Sequence, residues 1–178
     1  VDTSGNVTFY KNGLESGTGT GATLTANDLP LLISNRSGSA ATYWFDGAVD
    51  DVRVYERALS AQEVKESLAS DYSTTGMVMD HSFDDAVVED TMSFDGNDSV
   101  LVWDQAGANA NIDTTKGAAS VWFDAANDGF IYQYFSSNDD RLYLTFVDSD
   151  TANFAIGNDS VQVDGVLPGW NHLVGVWD

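Results

Sequence analysis

The sequence predicts an all-β protein, a two-sheet antiparallel sandwich carrying one short helix at about residues 60–69. Three observations predict it. Short apolar and aromatic runs alternate with clusters of Gly, Ser, Asn, Asp and Thr at the roughly 8 to 12 residue spacing of sandwich strands. The run RLYLTFVD has period two, with Leu142, Leu144 and Phe146 on one face and Tyr143, Thr145 and Val147 on the other. Only one segment, ERALSAQEVKESLASD, breaks into helical spacing.

In chain order the strands are expected in VTFYKNG, LPLLISN, TYWFDGAVDDVRVY, GMVMDHSF, SVLVWD, AASVWFDA, GFIYQYFS, RLYLTFVD, ANFAIGN, VQVDGV and HLVGVWD. Between the first two, GTGTGAT at residues 17–23 reads as a flexible loop; no Lys follows and no helix opens after it, so it is not a phosphate cradle. Ser60 followed by Glu63 makes a capping box, and Ala61, Val64 and Leu68 recur at helical spacing, so this helix lies on the sandwich by one face. The polar residues 70–76 show no periodicity and form the best internal boundary, dividing 1–70 from 71–178. In the closing stretch GWNHLVGVWD, Leu173 to Trp177 is apolar on both faces, which suits a strand covered on both sides. Such a strand needs a partner. The opening VDTSGNVTFYKNG supplies one, and antiparallel pairing with the strand around Val7 to Tyr10 is expected, the polar DTSGN acting as the turn between the two runs.

Composition narrows function. At 178 residues and 43% hydrophobic the chain suits one sandwich-sized core. It has no apolar run near the ~18 residues of a membrane helix and no secretory-type leader in the given sequence. Cysteine is absent, which removes disulfides and thiolate metal sites. Asp plus Glu number 28 against 7 Lys plus Arg, a formal net charge of -21 that repels phosphate backbones and argues against nucleic acid. Most of these carboxylates are expected to solvate the surface, as suits a saline medium, while a few are candidates to hold calcium.

The string WFDGAVDDVRVYERALSAQEVKESL resembles the closing segment of the laminin G-like jelly rolls of the concanavalin A-like lectin and glucanase superfamily, in which an F-D-G-x-[IV]-D-[DE]-[VI]-R-[IV]-[YF] strand leads into a small A-L-[ST] helix. SFDGNDSVLV is similar to that family's early strand, and GWNHLVGVWD with VTFYKNG is similar to its W-x-H strand and the F-Y-x-N-G strand beside it. The resemblance implies a jelly roll. It also implies a permuted order, with residues 1–70 corresponding to the C-terminal half and 71–178 to the N-terminal half, together one domain equivalent. Three arrangements fit: the first part folds onto the second within one chain, it completes a neighbouring copy, or the chain is one repeat of a tandem array. The opening on Val1 rather than Met favours a piece of something longer.

The resemblance also implies a calcium ligand at Asp50, with a partner from the loop FDDAVVEDTMS, where Asp90 is the first choice and Asp84 or Asp85 the substitutes. For a bound sugar, ring stacking would fall to Trp103, Tyr132 and Tyr134, while Trp44, Trp122, Trp170 and Trp177 are expected in the core. His81 and His172 lack metal spacing and are expected to be structural hydrogen-bonding residues. A retaining glucanase on this fold needs two carboxylates ~5 to 5.5 Å apart, usually from an E-x-D-x-x-E strand. No such string exists, and Glu89 and Asp90 are adjacent and would point to opposite faces of a strand, so no enzyme activity is expected. The reading that results is a non-catalytic extracellular structural or adhesive module, on a cell or virion surface, a repeat or subunit of a fibre, adhesin or filament that self-associates or occurs in tandem copies. The alternative is a calcium-dependent carbohydrate-binding module taking a glycan or a surface protein. Glycoside hydrolysis is the least favoured.

Overall fold

The computed structural model describes residues 5–20, 24, 31–34, 44–69, 71–82, 92–95, 100–103, 112–127, 129–135, 141–148, 150–157, 159–166 and 168–178, with the strand residues 95, 100–103, 130, 132–135, 141 and 148 described by backbone alone. Strands β1 (Asn6–Lys11) and β2 (Leu14–Thr20) form a hairpin closed by Asn12 and Gly13, whose φ values of 49° and 75° are the left-handed pair a two-residue primed turn requires. Then come β3 (Leu31–Ile33), β4 (Asp46–Tyr55), helix α1 (Ala61–Ser67), β5 (Met77–His81), β6 (Met92–Asp95), β7 (Val100–Trp103), β8 (Gly117–Asn127), β9 (Gly129–Phe135), β10 (Arg141–Asp148), β11 (Thr151–Ile156), β12 (Asp159–Val163) and β13 (Asn171–Trp177).

These strands make two antiparallel sheets, the arrangement of a jelly-roll sandwich. One has the order β2-β1-β13-β8-β4-β5, with β6 also paired to β4; the other has the order β12-β11-β10-β9-β3-β7. The main core lies between them, built on Phe9, Phe45, Val49, Val121, Phe123, Ile131, Leu142, Leu144, Phe154 and Leu173. A second apolar cluster covers the outer face of the first sheet, where Leu59 and Val64 pack on Tyr10, Tyr55, Ala118, Val174 and Val176.

Two cores explain β13. Every residue from Asn171 to Trp177 is buried. Leu173 and Trp177 enter the core between the sheets, whereas Val174 and Val176 meet the helix side. Its pairing with β1 is the one the sequence predicts, running from Val7 opposite Trp177 to Lys11 opposite Leu173 within the chain. Reciprocal backbone bonds, Asn6 N to Asp178 O at 2.8 Å and Asp178 N to Asn6 O at 3.1 Å, extend the ladder by one step.

The helix begins as expected. Ser60 Oγ accepts from Glu63 N, and the Glu63 carboxylate accepts from Ser60 N at 2.9 Å. Arg57 locks this box to the chain beyond the helix, donating to both Glu63 oxygens, to Ser73 Oγ at 3.0 Å and to Thr75 O at 2.8 Å. The Arg57 bonds, aided by those from Ser60, hold the Glu63 carboxyl down at a pKa of about 2.

Three expectations are corrected. The helix buries Val64 and Ser67, with Leu68 half-buried and Ala61 exposed, because seven residues give only two turns and Ser67 Oγ satisfies itself on Val64 O. Residues 17–20, expected in a flexible loop, are the end of β2, paired with β1. Their glycines serve close packing: a Cβ at Gly17 would stand 2.4 Å from Val161 Cγ1, and one at Gly19 would stand 2.2 Å from Asp159 Oδ2. Of the four tryptophans assigned to the core, only Trp177 is fully buried; Trp44 and Trp122 are half-buried and Trp170 is 44% exposed, since it sits in the bend before β13 rather than on the strand.

Candidate functional site

Residues 50–53 of β4 hold a bulge. Asp50 pairs with Trp122 and Arg53 with Ser120, so two β4 residues stand against one of β8. Asp51 takes φ of 51°, a left-handed conformation that Asp tolerates better than most side chains. Asp50 Oδ1 accepts from Asp51 N at 2.7 Å and fixes the kink.

Beyond the bulge, alternation sends Val52 and Val54 into the main core and turns Arg53 to the outer face, with Tyr55. Arg53 is only 2% exposed there. Its Nη2 donates to Asp51 Oδ1 and its Nε to Asp80 Oδ1 at 3.0 Å, while its guanidinium lies 3.5 Å from the centre of the Tyr72 ring. Tyr72 OH donates to the other Asp80 oxygen at 3.2 Å. Burial opposes the Arg53 charge, but Asp51 and Asp80 more than offset it and hold its pKa above the ordinary value. Burial likewise pushes the neighbouring Tyr55 hydroxyl up to about 12.

Two strands away, His172 is fully buried and tilted against Trp122, ring centres 5.0 Å apart. Its backbone is tied to the β1–β2 turn, His172 N donating to Asn12 Oδ1 at 2.9 Å and Asn12 N to His172 O at 2.8 Å. The expectation that its ring is a structural hydrogen-bonding group is corrected: among the described residues neither ring nitrogen has a partner, the position straight across on β8 being Trp122. Burial, reinforced by the Arg53 charge, lowers its pKa to about 4, so the ring is neutral.

Of the expected metal ligands, Asp50 lies half-buried at the bulge; Asp84, Asp85 and Asp90 lie outside the described residues, as does Glu89. β5 leaves at His81 opposite Val52, and β6 returns at Met92 opposite Val49. Both flanks of the acidic segment 83–91 are therefore anchored on either side of Asp50. Among the described residues no three His, Asp or Glu converge as a metal set, so Asp50 brings one carboxylate and the described part of the site does not by itself fit calcium.

The three sugar-stacking candidates stand on neighbouring strands of the second sheet, β7 and β9 flanking β3. Trp103 is the backbone partner of Leu31, Tyr132 of Leu144 and Ile33, and Tyr134 of Leu142. Their side chains lie outside the described residues. The sequence reading missed the Arg53, Asp80, Tyr72 and His172 grouping. One signal was available: in DDVRVY, Arg53 shares the parity of Tyr55 against Val52 and Val54, a cation at the centre of an apolar strand with Asp51 two residues away.

Residues 1–65 match the Laminin_G_3 family model of the concanavalin A-like lectin/glucanases superfamily, a span that takes in β1 to β4 and the first turn of α1. No curated protein and no solved structure matches the chain. The match and the sandwich together support a lectin-like or structural module. No helix among the described residues is long and apolar enough to cross a membrane.

Proposed function

We propose that this chain is a non-catalytic structural and adhesive module of an extracellular fibre, adhesin or filament at a cell or virion surface. One observation carries the reading: β13, buried on both faces, takes a neighbour from the far end of the sequence, β1, through a ladder that runs from Leu173 to Trp177. A β1 strand from a second copy, or from the next copy in a tandem array, would meet β13 in the same register, so copies would interlock by strand exchange. The outer strand of that sheet, β2, carries neither Lys nor Pro to discourage addition of a further strand.

The absence of native cysteine makes the test clean. Thr8 and Val176 are backbone partners, and cross-strand positions of this kind are within disulfide reach. Oxidising the Thr8→Cys, Val176→Cys double variant at high protein concentration is expected to give covalent multimers on a non-reducing gel. Cross-linked monomer alone, together with monomeric light scattering at every concentration, would overturn exchange between copies.

A second reading, calcium-dependent glycan or surface-protein binding, draws support from the two strand ends that straddle Asp50 and bracket the acidic segment. Asp50 would contribute one ligand, and Asp90 or Asp84 the next. Calcium is expected to raise Tm in the wild type and not in Asp50→Ala; at one hundred times Kd the gain would be about 2.7 kcal/mol. A glycan array in calcium and in chelator then separates the two readings. An unchanged Tm in excess calcium would remove the metal from this site.

A further inference from the structure

Three buried polar side chains on adjacent strands of the first sheet carry atoms that no group among the described residues satisfies: Arg53 Nη1 on β4, Ser120 Oγ on β8, and both ring nitrogens of His172 on β13. Their relative exposures are 2%, 2% and 0%. They belong to one face. Val52, Val54, Ala119, Val121 and Leu173 all point into the inter-sheet core, so alternation turns Arg53, Ser120 and His172 to the opposite side. Register brings them together there: Arg53 is directly opposite Ser120, and His172, opposite Trp122, is the diagonal neighbour of Ser120. The three groups form an oblique line across the sheet, Val174 standing straight across from Ser120, with the Tyr72 ring over Arg53 at one end and Trp122 against His172 at the other.

Leaving such atoms bare is costly. A buried donor or acceptor without a partner loses its hydration and gains nothing in return, which is why native interiors satisfy nearly all of them. None of these atoms bonds directly to another, and diagonal cross-strand neighbours stand about 7 to 8 Å apart, a spacing at which one water can bridge the two side chains. The donor and acceptor inventory also fits water. Arg53 Nη1 can only donate, neutral His172 offers one ring acceptor and one ring donor, and Ser120 Oγ can do either. A water oxygen accepts from the guanidinium while its hydrogens reach the imidazole and the hydroxyl, giving the three or so bonds typical of an internal water. An anion fits worse, since Asp51 and Asp80 already neutralise Arg53.

We propose that Arg53, Ser120 and His172 form a structural water-binding site on the outer face of the first sheet, one ordered water joining strands β4, β8 and β13. The water would fix the His172 tautomer, because the ring nitrogen facing it accepts, and would couple the bulge at Asp50–Arg53 to the terminal strand pair through hydrogen bonds alone. It stands apart from the proposed self-association and calcium readings, and holds or fails without them.

A crystal structure at a resolution that orders internal solvent tests it on the wild-type protein. The expected result is a fully occupied water within hydrogen-bond distance of Arg53 Nη1, Ser120 Oγ and one ring nitrogen of His172. In solution, the His172 Hε1, on the ring carbon between the two nitrogens, should show a cross-relaxation peak to a long-lived water. Ser120→Ala should weaken that peak and His172→Phe should abolish the ordered water. A dry row, or another protein side chain bonded to His172 and Arg53 Nη1, would overturn the proposal. So would an unchanged water in His172→Phe.

Discussion

Replacing Phe154 by alanine is expected to lose about 4 kcal/mol of stability, the middle of the range for a buried aromatic. Phe154 is fully buried at the centre of β11, its ring 5.8 Å from that of Phe9 across the core. The ring is seated on a glycine: a Cβ at Gly175 would lie 2.1 to 2.4 Å from three Phe154 ring atoms. Gly175→Ala should therefore cost about 2 to 3 kcal/mol through overpacking alone. The two changes share a contact and should not add. Gly175→Ala with Phe154→Leu, which shortens the side chain where the methyl intrudes, should be more stable than Gly175→Ala alone. Urea titration of the four proteins checks this, and a neutral Gly175→Ala would mean that the ring does not rest on that glycine.

Stability should fall by about 3 kcal/mol in acid through His172 alone. The sign follows from its lowered pKa. The unfolded ring titrates near 6.5 and the folded ring near 4, so the unfolded state binds the proton first. The His172 contribution is fully present above pH 6.5 and is lost as pH falls from 6.5 to 4. Glu63, held at about 2 by Arg57, is lost in a lower window, between 4.5 and 2. The span from pH 6.5 to 5 therefore reports His172 with little interference from Glu63. Unfolding free energy measured across that span should slope in the wild type, and the slope should flatten in both His172→Phe and His172→Gln. A level wild-type profile would contradict the buried neutral ring. Beside it, Arg53 keeps its charge throughout, so the acid effect reads the histidine and not the guanidinium.

How much of this was legible in the sequence depends on how local the cause is. Most of the strands (though not β2), the capping box at Ser60 and Glu63, and the burial of β13 on both faces follow from period, turn chemistry and short-range spacing, all of which one segment carries by itself. The pairing of β1 with β13 was also legible, because an apolar two-faced strand demands a partner and the opening run was apolar with a turn before it. Gly17 and Gly19 misled, since glycine reads locally as flexibility while its purpose here is the approach of Val161 and Asp159 from the other sheet. Trp170 misled for the opposite reason: its size predicts burial, yet the bend ending at Gly169, φ 94°, leaves it in solvent.

The sequence by itself determined the all-β class and the placement of the helix, which rest on residues a few positions apart, the partner of the closing strand, which rests on the apolar character of the two end runs, and the acidic balance, which rests on total charge. Only the tertiary structure decided which polar groups meet. Arg53, Ser120 and His172 are separated by scores of residues, and they come to one face through the registers of β4 on β8 and of β8 on β13. A bulge at Asp50 to Arg53 sets the first of those registers, and shifting a strand by one residue would send the same side chains to the other face. Pattern fixes what a strand is; register, which no single segment encodes, fixes what it faces.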